Sequence, residues 1–135
     1  MFLDNDYTKE EMKMVWETQK ILGDESIRVN ATAVRVPVFY GHGEAIHIET
    51  RTPIDAQDAK ALLANAPGIV LKSEPSEFPT QVGDASGKDE VFVGRVRNDI
   101  SHPNGLNMWV VSDNVRKGAA TNSIQIAEVL IRDYM

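Results

Sequence analysis

The 135-residue sequence has no cysteine. That removes disulfides, thiolate metal sites and cysteine nucleophiles from the chemistry this chain can supply. It has no apolar run near the ~20 residues a membrane-spanning helix needs. Positive charge is scarce: 14 Lys and Arg stand against 20 Asp and Glu, a net charge of −6. No basic cluster offsets this, so nucleic-acid binding is not expected. A phosphate-cradling glycine loop is missing too, because Gly41-His42-Gly43 is not a GxGxxG placed between a strand and a helix. Three scattered histidines and no HExxH make no metal site. The opening residues Met1-Phe2-Leu3-Asp4-Asn5-Asp6 lack the basic-then-apolar order of a signal peptide, so a cytoplasmic location is expected.

What remains is ordinary globular material, 42% hydrophobic and 25% charged, and the length suggests one domain. Thr8-Lys9-Glu10-Glu11 has capping-box form, and Met12, Val15, Trp16 and Leu22 fall on one helical face up to Gly23. This predicts a helix over about 9–22. Residues 27–39 alternate and predict a first strand, broken by Tyr40-Gly41-His42-Gly43. Residues 45–51 predict a second strand. Asp55 is placed to cap a helix carrying Ala59, Leu62, Leu63 and Ala66, which Pro67-Gly68 ends. Ile69-Val70-Leu71 reads as a short buried strand. Residues 73–89 read as a long exposed loop. Residues 91–96 and 106–111 predict two more strands. Asp113 then caps a last helix with Ala120, Ile124, Ala127 and Ile131 on one face. The order predicts an α+β fold, a mostly antiparallel mixed sheet with helices on one side.

Few residues offer chemistry. On the predicted first strand, Arg35 ends an apolar face. A guanidinium there is either internally paired or forks onto a ligand carboxylate. His42, seven positions on, is either a surface-turn residue or a proton carrier, since an imidazole titrates near ~6.5. Glu10 and Lys13 are neighbours on one face of the first helix, with Glu17 and Lys20 continuing it. They are a solvated ion-pair stripe, or else an acid for an ammonium and a base for a phosphate. His47 reads as a solvated strand residue and His102 as a loop residue.

Three ordered segments carry a resemblance. Lys9-Glu10-Glu11-Met12-Lys13-Met14-Val15-Trp16-Glu17-Thr18-Gln19-Lys20-Ile21 is similar to the substrate-contacting helix of bacterial aspartate-semialdehyde dehydrogenases. Val34-Arg35-Val36-Pro37-Val38-Phe39-Tyr40-Gly41-His42-Gly43-Glu44 resembles their arginine-to-histidine segment. Asp113-Asn114-Val115-Arg116-Lys117-Gly118-Ala119-Ala120-Thr121-Asn122 resembles the start of their terminal helix. The likeness runs in order from about Leu3 to Tyr134. It implies a fold like the carboxy-terminal domain of glyceraldehyde-3-phosphate dehydrogenase-type enzymes. It implies an oxidoreductase that reduces aspartyl-β-phosphate with NADPH to aspartate semialdehyde, feeding lysine (through diaminopimelate), methionine and threonine synthesis, and acting as a homodimer. By matching position, His42 is implied as the general acid/base, Arg35 as the holder of the substrate α-carboxylate and Glu10 as the partner of its α-amino group. Lys13 is implied in phosphate binding and Asn114 at the nicotinamide end of NADP.

One departure is large. The family's nucleophile is a cysteine, and neither it nor the nucleotide loop is in these residues. Covalent catalysis needs the thiolate. The sequence is therefore expected to be a substrate-binding and dimerisation portion, residues 1–135, that is inactive alone and binds no cofactor tightly. Its helix at 114–134 is expected to pack on an absent nucleotide-binding domain, and Met1-Phe2-Leu3 reads as a start within a longer chain. Two other readings stay open: a standalone binding module for a small anionic amino acid, and a dimerisation domain with a vestigial pocket. A related reductase acting on N-acetylglutamyl phosphate fits less well, since its substrate has no ammonium for Glu10.

Overall fold

The computed structural model describes all 135 residues, which form two compact units, Met1–Pro37 and Val38–Met135. In the first unit, α1 spans Lys9–Leu22. Its start is the predicted capping box: Thr8 Oγ1 accepts the Glu11 N–H at 3.2 Å, and the Glu11 carboxylate accepts the Thr8 N–H at 2.7 Å. Two orphan helix donors are thereby satisfied. Gly23 closes the helix in the left-handed region at φ 65, where a side chain would be strained.

The predicted strand over residues 27–39 does not form; the segment is irregular throughout. A strand exists only where a neighbour completes its ladder, and no strand pairs with this segment. Side chains hold its backbone instead. Gln19 Nε2 donates to the Ile27 carbonyl at 2.9 Å, the Glu11 carboxylate accepts the Ala33 N–H at 2.9 Å, and Tyr7 donates its hydroxyl hydrogen to Asn30 at 2.9 Å. Arg35 consequently sits on an exposed arm and not at the rim of a sheet.

The second unit is built on a four-stranded mixed sheet in the order β1-β4-β3-β2, with β1 His42–Glu49, β2 Ile69–Lys72, β3 Val91–Asn98 and β4 Gly105–Ser112. β1–β4 and β4–β3 are antiparallel, and β3–β2 is parallel. On one face, α2 (Ala56–Ala64) lays Ala56 and Ala59 against Val93, Val96 and Leu106, ringed by Ile54, Leu63, Ile69, Leu71, Met108 and Val110. Two alanines facing the sheet let the helix approach closely. Asp55 caps it as predicted, accepting the Gln57 N–H at 2.8 Å.

The opposite face carries Phe92, Val111, Val70 and Trp109, packed on Ala85. Here the loop predicted to be exposed differs. Pro79 and Ala85 are fully buried, within a segment that makes one π-helical turn, Gln81–Ala85. Trp109 Nε1 donates to the Pro79 carbonyl at 2.8 Å, pinning the loop to the sheet. One proline and one alanine in a polar stretch leave no periodic signal, so this contact was not legible.

After β4, the buried Asp113 accepts the N–H groups of Val115 and Arg116 at 2.8 and 3.0 Å. The chain then makes a second π-helical turn, Arg116–Ala120, and continues as α3, Thr121–Tyr134. None of the residues of α3 is buried. No helix is long and apolar enough to cross a membrane.

Candidate functional site

The predicted site residues fall into two groups. Glu10, Lys13 and Arg35 belong to the first unit, His42 and Asn114 to the second. In the first, Glu10 and Lys13 are exposed on the opening turns of α1. Glu11 is the residue that sequence reasoning undervalued. Beyond closing the capping box it binds Ala33, so the arm carrying Arg35 is tethered to the helix's first turn. The hydrogen bonds of Thr8 and then Ala33 hold the Glu11 carboxyl below the ordinary range.

In the second unit, Gly41 turns the chain at φ 94 and His42 is the first residue of β1, paired with Ser112 of β4. That pairing brings residues 113–118 alongside His42. Asn114 Oδ1 accepts the Gly41 N–H at 2.7 Å. The π-helical turn passes so near that a Cβ added at Gly118 would lie 4.0 Å from His42 Cε1 and 3.8 Å from Asn114 Cβ. His42 and Asn114 are thus assembled into one exposed corner whose floor is the bare backbone of Gly118.

Further side chains build this corner, two of which, Gln81 and Trp109, carried no signal in the sequence. Gln81 lies across both glycines that flank His42. A Cβ at Gly41 would meet its Cβ at 2.9 Å, and one at Gly43 would meet Trp109 Cη2 at 2.8 Å as well as the Gln81 amide. Both positions therefore require glycine on steric grounds. Asp113 is held below the usual carboxylate range by the N–H groups of Arg116 and then Gly87. Arg116 and Thr121 both donate to Asp89, at 2.8 and 2.9 Å, tying the turn to the loop before β3.

The other histidines stand apart. His47 is half-exposed on β1, with Asp99 Oδ2 3.0 Å and Glu49 Oε1 3.4 Å from its ring nitrogens. It is engaged by carboxylates where the sequence suggested only solvent. His102 accepts the Asn104 N–H at 3.2 Å and serves the β3–β4 turn, as a loop residue was expected to.

Residues 1–117 match the protein family described as semialdehyde dehydrogenase, dimerisation domain. The chain belongs to this family. Members with curated names agree: it is 68% identical over 98% of its length to the aspartate-semialdehyde dehydrogenase of Shewanella violacea and 61% identical over 99% to that of Legionella pneumophila. It spans 39% of the length of each of these relatives. Among solved structures, it superimposes on aspartate semialdehyde dehydrogenase II of Vibrio cholerae, crystallised in complex with ASA, with a TM-score of 0.95 at 67% identity. That match covers all of this chain and 40% of the other. A probable aspartate-semialdehyde dehydrogenase from Pseudomonas aeruginosa gives 0.90 at 36% identity, again over the whole chain and 40% of the other. The family's α+β architecture is that of the mixed sheet described above.

Proposed function

We propose that this chain is the substrate-binding and dimerisation part of an NADPH-dependent aspartate-semialdehyde dehydrogenase, an oxidoreductase of lysine, methionine and threonine synthesis. The observation that carries the reading is the corner at His42, where the residue before the first position of β1, Gly41, donates its N–H to Asn114. It occurs in a chain 68% identical to a named enzyme of this activity.

His42 is the general acid/base. Exposed at the corner, its ring can take a proton from the attacking group and return one to the leaving oxygen. Arg35 grips the substrate α-carboxylate through two parallel hydrogen bonds, a geometry that lysine cannot reproduce. Glu10 accepts from the α-ammonium, and Lys13 meets the phosphate as a point charge. The corner also fits a nicotinamide. Asn114 Oδ1 is spent on Gly41, its amide nitrogen keeps its donors for a carboxamide oxygen, and Gly118 presents no side chain beside it. NADPH, when bound, supplies the hydride. The thiolate that this chemistry needs must come from outside these residues, since the chain has no cysteine. We place the working enzyme in the cytoplasm as a homodimer, with neither nucleic acid nor membrane as partner.

The test is phosphate-dependent oxidation of aspartate semialdehyde with NADP. The chain alone should give no turnover above a blank. Joined to a nucleotide-binding domain that supplies the cysteine, it should turn over, and His42→Asn should then lower kcat by roughly 10²–10⁴ with little change in KM. Turnover by the chain free of host enzyme, or near-normal kcat in the variant, would overturn the reading.

A further inference from the structure

At the carboxyl ends of the parallel pair β2–β3, beside the start of α2, lies a cleft of about 300 Å3. Its wall contains Lys60, Arg95 and Arg97, against one carboxylate, Glu74, with Ser73 as a neutral donor. Three cations around one concavity are unexpected in a chain of net charge −6.

These cations are largely unspent. Arg97 donates one N–H to the Arg95 carbonyl at 2.8 Å, and Arg95 reaches the Pro75 carbonyl only at 3.5 Å. No carboxylate pairs with either guanidinium, although Arg116 and Arg132 each have one. A guanidinium carries five donors, so most of both forks remain open. Lys60 feels Asp55 through space, but the Asp55 oxygens are already given to Gln57 and Asn98.

The backbone adds an independent observation. The β3–β4 register slips between Gly94 and Arg97, and Arg95 sits inside the bulge at φ 58. An L-residue with a long side chain is strained there, and glycine would hold the same turn without the cost. Retained strain of this kind points to a use for the side chain.

We propose that this cleft binds a phosphate group, as inorganic phosphate or a phosphate monoester, through Lys60, Arg95 and Arg97. None of the roles assigned above uses these residues. A phosphate dianion matches two guanidinium forks and an ammonium better than a single carboxylate does, because its three terminal oxygens can each take a donor.

Inorganic phosphate is titrated into the 15N-labelled chain near neutral pH at constant ionic strength, with glycerol 3-phosphate in a parallel arm. Saturable shifts are expected in the amides of residues 73–75 and 95–98 and in the arginine side-chain N–H signals, with a Kd on the order of a millimolar. Saturation by either ligand supports the site, and the tighter of the two identifies its source. Arg95→Gly removes the charge and relieves the φ strain together. It should weaken binding by about tenfold while leaving the melting temperature equal or higher. Arg97→Gln should weaken binding similarly. Equal shifts from chloride at matched ionic strength, or unchanged affinity in both variants, would overturn the proposal. Phosphate shifts confined to α1 and the Arg35 arm would overturn it too, while leaving the proposed function standing.

Discussion

Asn114 Oδ1 accepts the backbone N–H of Gly41 at 2.7 Å, a bond between residues 73 apart in sequence. It fixes the point at which an irregular arm becomes β1, and so the place of His42. Asn114→Ala should leave that N–H without its acceptor, cost about 1 kcal/mol and speed amide exchange at Gly41. Asn114→Asp keeps an acceptor and loses the amide donors. It should preserve Gly41 protection while weakening NADP binding in the assembled enzyme. Gly41 exchange that is the same in wild type and Asn114→Ala would show that the bond positions nothing.

Gly43→Ala places a methyl group against the Trp109 ring, at 2.8 Å from Cη2, and against the Gln81 amide. The amide end can swing aside, but the ring is held by its bond to Pro79. Overpacking of this kind costs roughly 1–3 kcal/mol. Adding Gln81→Ala should recover only a small part, because the ring clash remains. Urea midpoints of the single and double variants check this, and full recovery in the double variant would assign the clash to Gln81 alone.

Acid should destabilise the second unit along a defined course. Asp113 and Asp84 both titrate below the ordinary carboxylate range, Asp113 through the N–H groups of Arg116 and Gly87, Asp84 first through that of Thr80. A depressed folded pKa contributes stability that is present above the unfolded value, near ~4, and lost as pH falls through the folded one. Urea midpoints should be flat from about pH 7 to 5 and fall below about pH 4. Asp113→Asn should be less stable at neutral pH and show a shallower acid slope. A slope indifferent to that substitution would reject the assignment.

Elements that stabilise themselves locally were legible in the sequence, and those that depend on distant partners were not. Thr8 and Glu11 satisfy each other three residues apart, so α1 and its cap could be read from eight letters. Asp55 and Gly23 are equally local. Alternation over 27–39 carried no information about whether a partner strand existed, and none does. The corner around His42 depends on Gln81, Trp109 and Gly118, which meet it only after the sheet has formed. No spacing rule connects positions 43, 81 and 109. The family resemblance singled out His42 and Asn114, and the structure places them together.

The terminal helix makes a prediction about association. Ile124, Leu130 and Ile131 are 60%, 52% and 62% exposed, on more than one side of α3. A helix apolar on several sides needs several partners, and exposed strips of this kind drive assembly. The isolated chain should be at least dimeric by light scattering, with α3 amides exchanging faster than those of β4. Ile124→Lys with Ile131→Lys should reduce association with little change in the urea midpoint, since both side chains are mostly exposed. A monomer whose α3 is as protected as β4 would contradict this.

β1 pairs with β4 and with no other strand, over the register from His42↔Ser112 to Glu49↔Gly105. A growing chain therefore carries a completed β1 through the synthesis of α2, β2 and β3 with its ladder groups unmet. Closing that pair costs the entropy of a long loop before any contact repays it. Sheet formation should be slow relative to the helices, and nascent chains stopped before residue 112 should expose a sticky strand to chaperones. The corner at His42 can then take shape only once β4 and the turn after it have been made.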